Sequence, residues 1–331
     1  MALRFPPEWH PQEFLWIGFP HLAEEWPGFL DAAQEQIAAF ASAVADSGQR
    51  VQLLVRDEAN ETRARQLVSS KVTLERRRYG DVWLRDTGPL VLIGEDGARV
   101  ARRFGFNGWG GKYLMEGDQE IGAELARDSG LEVRTADWIL EGGAIDTDGT
   151  GLVVTTEQCL LNPNRNPALS RADIEARLAR DLGLNRVLWL GGGLVNDHTD
   201  GHVDNLARFV APGVLALPRA TGADDPNAAI YADARDRALD FGLDVREVPS
   251  TGRIERADEN GGQVEPASYM NFAITTHLVV VPTFGSPHDA DGIAAVASLF
   301  PDRETIGLRA DAVLAGGGGF HCASQQMPAT R

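Results

Sequence analysis

Cysteine is nearly absent from this chain: its 331 residues include only Cys159 and Cys322. Two thiols so far apart in sequence cannot form the disulfide framework of a small secreted domain. Stability must come from a packed core, and a reducing compartment is the simpler setting. Positive charge is also scarce, with 31 Lys and Arg against 48 Asp and Glu and a formal charge of -17. Such a field repels polyanions, which argues against nucleic acid and acidic membrane as partners, and it attracts small cations. No stretch approaches the 18 apolar residues of a membrane span, and the opening MALRFPPEWHPQEFLWIGFP lacks the unbroken apolar run of a signal peptide. A cytoplasmic protein with no membrane partner is expected. Neither a Pro/Ser-rich linker nor a shift in composition divides the chain, and no exact repeat is visible. Residues 1–331 therefore read as one domain, although the length alone would suit two.

What is present alternates. Short apolar runs at 51–55, 89–93, 151–156, 187–192, 213–218 and 277–285 predict strands. Amphipathic segments at 29–47, 61–69, 118–129, 171–182, 225–241 and 290–299 predict helices, with Ser170 and Asp289 as N-caps and Gly48, Gly130, Gly183 and Gly242 at helix ends. The expected class is mixed α/β. Residues 250–268 read as a loop.

Chemistry gathers where the strand signals stop. YGDVWLRDTGPL carries Trp83, Arg85 and Asp86, ILEGGAIDTDGTG carries Glu141, and LVNDHTDGHVDNLARF carries His198, Asp200, His202 and Asp204. GGGGFHCASQQMP then places His321 and Cys322 behind four glycines, a setting that suits a reactive thiol better than a packed one. Taken singly, most of these residues have an ordinary reading. Asp86 can be a turn residue or the salt-bridge partner of Arg85, Glu141 a turn acid, Trp83 core, and His202 a satisfied structural histidine. Cys159, between a strand signal and Leu160-Leu161, reads as core.

Taken together they describe a reaction. A cysteine nucleophile needs a proton carrier, which a histidine supplies. Several carboxylates beside a thiolate repel it unless the substrate is a cation that they share. Guanidinium is a permanent, planar cation whose N–H pairs match carboxylates, so attack of a thiol on a guanidinium carbon is the expected chemistry. A rival exists in HTDGHVD. If that stretch is extended, His198, Asp200, His202 and Asp204 share one face and suggest a divalent-metal hydrolase.

The set DVWLRDTGP, FGFNGWGGKY, LEGGAIDTDGTG, TTEQCLLNPNRNP, TDGHVDNLARF and GGGGFHCASQQMP, in that order, resembles the agmatine deiminase family, a relative of bacterial peptidyl-arginine deiminases. The resemblance runs from residue 6 to 328. It implies the pentein fold, a five-bladed α/β propeller of pseudo-fivefold symmetry with its site on the central axis. It also implies a homo-oligomer, no metal or cofactor, and hydrolysis of agmatine to N-carbamoylputrescine and ammonia on the route to putrescine and the polyamines. Carried over by motif, Cys322 is the nucleophile and His202 the acid and then the base. Asp86 and Asp204 hold the guanidinium, Glu141 pairs with His202 and the substrate nitrogens, and Trp83 lines the channel.

Two positions depart from the family pattern. His198 stands where members often carry an acid for the ammonium end of agmatine, which leaves Asp197 or Asp200 to take that role or implies a different tail specificity. Gly319 stands where members commonly carry Asn. A deiminase of peptidyl-arginine or free arginine is the alternative, separated by whether the site accepts a carboxylate or peptide near the tail. Loss of activity with a chelator would mark the metal hydrolase, and loss with a thiol alkylator would mark Cys322.

Overall fold

The computed structural model describes residues 3–256 and 262–330. Five sheets repeat one pattern: a short strand runs antiparallel to the next, and a helix then crosses to a third strand parallel to the second. In one unit Leu90–Gly94 pairs with Arg99–Gly105, and helix Asp118–Asp128 leads to Glu132–Ile139. Asp146–Thr147, Leu152–Thr156, helix Arg171–Leu182 and Arg186–Leu190 form the next. Arg208–Ala211, Val214–Arg219, helix Ala228–Asp240 and Asp244–Pro249 follow, then Ala273–Ile274, Leu278–Thr283, helix Asp289–Leu299 and Glu304–Arg309. The fifth unit joins the two ends of the chain. The near-terminal strand Ser324–Pro328 pairs antiparallel with Gln12–Gly18, and helix Leu30–Asp46 leads to the parallel Arg50–Val55. Each helical crossover satisfies the reach that parallel pairing demands.

The fivefold repetition matches the expected propeller, and all twelve expected strands and helices are present within a few residues. The strands that apolar runs did not mark include three of the outer third strands. Glu132–Ile139 and Asp244–Pro249 have only scattered buried positions and Glu304–Arg309 has none, and all three carry charged residues, so they have no apolar run to recognise. Ser170 caps its helix in a full capping box with Asp173. Asp289 does not act as a cap. His288 holds that position, and the Asp289 carboxylate instead accepts bonds from Gly285 N–H and the Tyr269 hydroxyl. Within 250–268, Glu255–Arg256 and Gln263–Val264 form a small hairpin, and the part of that stretch between 257 and 261 lies outside the described residues. No helix among the described residues is long and apolar enough to cross a membrane.

Helix Leu30–Asp46 buries Ala33, Ile37, Phe40, Ala41 and Val44 against its sheet, the spacing of a one-faced amphipathic helix. Phe40 also stacks on Phe320 at 4.7 Å. The core thereby grips the loop two residues before Cys322.

Candidate active site

Five turns, one immediately before the first strand of each unit, meet at the centre. They contribute Asp86 (before Leu90), Glu141 (before Asp146), His202 and Asp204 (before Arg208), Asn271 (before Ala273) and Cys322 (before Ser324). Hydrogen bonds to backbone carbonyls hold the turns in place, as where Arg85 N–H donates to Cys322 O at 3.0 Å and the hydroxyl of Thr156, at the end of strand Leu152–Thr156, donates to Gly201 O at 2.6 Å.

The glycine run before Cys322 has a steric cause. A Cβ on Gly316 would stand 2.4 Å from the Trp26 ring, one on Gly318 would stand 2.7 Å from the Trp83 ring, and one on Gly319 would stand 2.5 Å from Asn271 Oδ1. Gly319 therefore leaves room for Asn271, whose Nδ2 donates to Cys322 Sγ at 3.0 Å while its Oδ1 accepts from His321 N–H at 3.1 Å and Cys322 N–H at 3.3 Å. Asn271 was not among the residues singled out in the sequence. The only signal for it is that MNFAI, like LRDTGPL and HVDNLARF, is a polar residue in the turn that opens a unit.

Cys322 Sγ lies 3.4 Å from Asp204 Oδ2, and Asp204 Oδ2 also sits 2.8 Å from His321 Nδ1. Asp86 accepts from Gly143 N–H at 2.8 Å and from Trp109 Nε1–H at 2.8 Å, and its Oδ2 stands 3.7 Å from His202 Nδ1. Asp86 is thus not an ion-pair partner of Arg85, whose guanidinium turns to Gln325, Gln326 and Glu8. Trp109 holds its backbone at φ 53°, ψ 53°, in the left-handed region. That conformation costs roughly 1–3 kcal/mol, and its return is the indole donor on Asp86.

Glu141 Oε1 accepts from Arg165 Nε at 2.6 Å, both side chains fully buried. Glu141 Oε2, Asp204 Oδ1 and both ring nitrogens of His202 are buried with no hydrogen-bond partner among the described residues. Gly143 forms the floor between them: a Cβ there would lie 2.7 Å from His202 Nδ1, 2.9 Å from Asp86 Oδ1 and 3.1 Å from Asp204 Oδ2.

Burial pushes the Asp204 carboxyl up to about 7. Burial, with Asp204 and Asp86 beside it, pushes the Cys322 thiol well above the usual thiol range. For His202 burial opposes charge, but Asp86, the Cys159 sulfur and Glu141 prevail and hold the imidazole well above the ordinary histidine value. Burial, then Arg208 and Arg85, drives His321 well below that value. The two histidines are thereby separated into a cationic one and a neutral one.

A cavity of about 240 Å3 opens over this floor, lined by Trp83, Asp86, Trp109 and Cys322 below and by Tyr113, His198, Glu24 and Glu25 farther out. His198 stacks on Tyr113, with ring centroids 6.4 Å apart. The two acids expected to replace a missing tail carboxylate are engaged elsewhere. Asp200 binds Lys112 at 2.8 Å and Arg165 at 2.6 Å, which holds its carboxyl down at about 2, and Asp197 bonds Thr199. Neither lines the cavity. Besides Asp86 on the floor, the acids that do are Glu24, Glu25 and Asp81.

HTDGHVD is a turn, not an extended strand: Asp200 and Gly201 sit at φ 64° and 86°. His198 and Asp200 consequently part from His202 and Asp204, and the expected four-residue metal face does not form. Among the described residues the one group with metal-ligand spacing is Glu141, Cys159 and His202, with donor atoms within 4.8 Å of one another. Arg165 already neutralises Glu141 there, which weakens that donor set for a cation.

The model of the Porphyromonas-type peptidyl-arginine deiminases matches residues 4–328. The chain belongs to this family. Its relatives include the agmatine deiminases of Pseudomonas aeruginosa (strain LESB58), 34% identical over all of this chain and 96% of the relative, and of Pseudomonas putida (strain KT2440), 35% identical over 99% and 96%. The solved agmatine deiminase of Enterococcus faecalis superposes with a TM-score of 0.94 at 30% identity over 99% of this chain and 96% of that one. An amidinotransferase from Microseira wollei shares the fold at a TM-score of 0.60 and 12% identity. Within the family's fold the five turns supply the site, which is why its motifs are spread over nearly the whole chain.

Proposed function

We propose that this chain is an agmatine deiminase, hydrolysing agmatine to N-carbamoylputrescine and ammonia through a covalent intermediate on Cys322, in the cytoplasm, as a homo-oligomer and without a metal or cofactor. The observation that carries the reading is the set of buried, unpartnered acceptors around the thiol, Glu141 Oε2 and Asp204 Oδ1 above all. Buried acceptors without donors are costly, and a planar cation with five N–H donors satisfies them. Full-length agmatine deiminase relatives support the same assignment.

Asp86 and Asp204 hold the guanidinium, with Glu141 reaching its outer nitrogens. The arriving cation offsets the carboxylates that keep the Cys322 proton in place, so the thiol ionises as substrate binds and its proton leaves to solvent. The thiolate attacks the guanidinium carbon, forming a C–S bond. His202, held protonated by its acidic neighbours, gives its proton to the departing nitrogen, and ammonia leaves. The now neutral His202 takes a proton from water, whose oxygen attacks the amidino carbon. The intermediate's hydroxyl gives up its proton to the released ammonia through solvent as the C–S bond breaks, and the neutral carbamoyl product departs with the thiolate restored. Trp83 flanks the aliphatic chain, and Glu24 and Glu25 meet the terminal ammonium in place of the acid that His198 replaces.

Arg256 also lines the cavity and favours the alternative, a substrate with a carboxylate near the tail, although Glu265 already pairs with it at 2.9 Å. Ammonia release from agmatine, free arginine and an arginine peptide separates the readings. Agmatine-selective release that prior iodoacetamide destroys supports the proposal. Preference for arginine or the peptide would transfer the assignment, and release that survives alkylation would remove Cys322 from the chemistry.

A further inference from the structure

Cys159 takes no part in the steps above. Its burial fits core packing, and it sits among Leu160, Ile174, Leu178 and Trp189. Its other neighbours do not fit that account. Its sulfur, a ring nitrogen of His202 and a carboxylate oxygen of Glu141 lie within 4.8 Å of one another, all buried. The ring nitrogens of His202 and Glu141 Oε2 lack hydrogen-bond partners among the described residues, so the thiol is the adaptable polar group facing an imidazole that must change charge. The placement is also fixed. Thr156 Oγ1 accepts from Cys159 N–H at 3.2 Å and donates to the carbonyl of Gly201, the residue before His202, at 2.6 Å.

We propose that Cys159 is a positioning residue for His202, its thiol holding the imidazole through both halves of the deiminase cycle. This rests on the acid-then-base role of His202 given above. A thiol donates S–H to a neutral imidazole nitrogen and accepts N–H from an imidazolium, whereas a carboxylate favours the charged ring alone. The other groups that face the ring are Asp86, Glu141 with its partner Arg165, Asp204 and His321. All the acids among them favour the imidazolium. Cys159 supports the imidazolium as well, and alone among these groups its thiol can also donate to the neutral ring that must receive a proton from water. Every covalent bond is made and broken at Cys322, and Cys159 remains a thiol throughout.

The chain's two cysteines make the test clean. In Cys322→Ser, Cys159 is the sole thiol, and its infrared S–H stretching band is unambiguous. At a pH above the His202 titration, where the ring is neutral, that band is expected at the lowered frequency of a hydrogen-bonded thiol and should move to the free-thiol position when His202→Ala is added. A band at the free-thiol position in Cys322→Ser at that pH, or one indifferent to His202→Ala, would overturn the proposal. Neither spectrum requires turnover, so this result is independent of which guanidinium compound is the substrate. In the otherwise intact enzyme, Cys159→Val should move the alkaline limb of the kcat profile down by about one pH unit, with a roughly tenfold loss near that limb, and Cys159→Ser should restore it. A loss equal at every pH, with the limb unmoved, would mean that Cys159 only fills space.

Discussion

Replacing Gly143 with alanine adds one methyl group at the point where the site has least room. The new Cβ would lie 2.7 Å from His202 Nδ1, 2.9 Å from Asp86 Oδ1 and 3.1 Å from Asp204 Oδ2. Comfortable contact for such atoms begins near about 3.5 Å, so three side chains must retreat by roughly 0.4–0.8 Å. Gly143 does not use the left-handed region, so the backbone itself tolerates alanine and the effect is confined to the site. A misplacement approaching 1 Å costs on the order of 100-fold in rate. Overpacking costs about 1–3 kcal/mol of stability, which a domain of this size survives. The assay is steady-state ammonia release with agmatine, alongside circular dichroism and thermal melting. A folded Gly143→Ala protein with kcat reduced about 100-fold is the expected result. If kcat stays within about twofold of the parent, the guanidinium does not sit on this floor and the assigned geometry fails.

Other outcomes follow from the same arrangement. Cys322→Ser should abolish turnover while preserving the fold and agmatine binding, read by calorimetry and melting. Asn271→Ala removes the donor to Sγ and the acceptor for two buried N–H groups, and a loss of about 1–3 kcal/mol predicts a 10- to 100-fold fall in kcat. Glu24→Gln with Glu25→Gln should raise KM for agmatine by about threefold or more with kcat nearly unchanged, the signature of tail binding. Between about pH 6.5 and 8, melting of the ligand-free protein should fall as pH rises. Burial holds Asp204 at about 7 and Asp146 at about 8, and His202 is also raised, so the native state binds more protons than the unfolded chain throughout that window. Agmatine added to Cys322→Ser should stabilise most at the upper end of the window, and a melting temperature that climbs with pH there would contradict the burial argument.

The reactive groups and most of the scaffold are legible in the order of residues along the chain. The apolar runs mark the central strands Leu152–Thr156, Val214–Arg219 and Leu278–Thr283 because those strands are almost wholly buried, and the capping residues and glycines mark where helices begin and stop. Cys322 is legible because four glycines precede it, and Asp86, Glu141, His202 and Asp204 because carboxylates, imidazole and thiol make joint sense only around a cation. Tertiary structure alone decided how these groups divide. Asp86, Glu141, His202, Asn271 and Cys322 each belong to a different turn, separated by a whole strand–helix–strand unit, and only closure of the five units brings them within a few ångströms. The alternation in HTDGHVD pointed to one face, but Asp200 and Gly201 turn the chain, sending Asp200 to Lys112 and Arg165 and leaving His202 and Asp204 at the floor. Cys159 looked like core and is buried, yet it also faces His202, a contact made between two units. Local propensity follows from near neighbours in the chain, whereas a shared proton or a shared cation depends on distances that only the closed ring of units supplies.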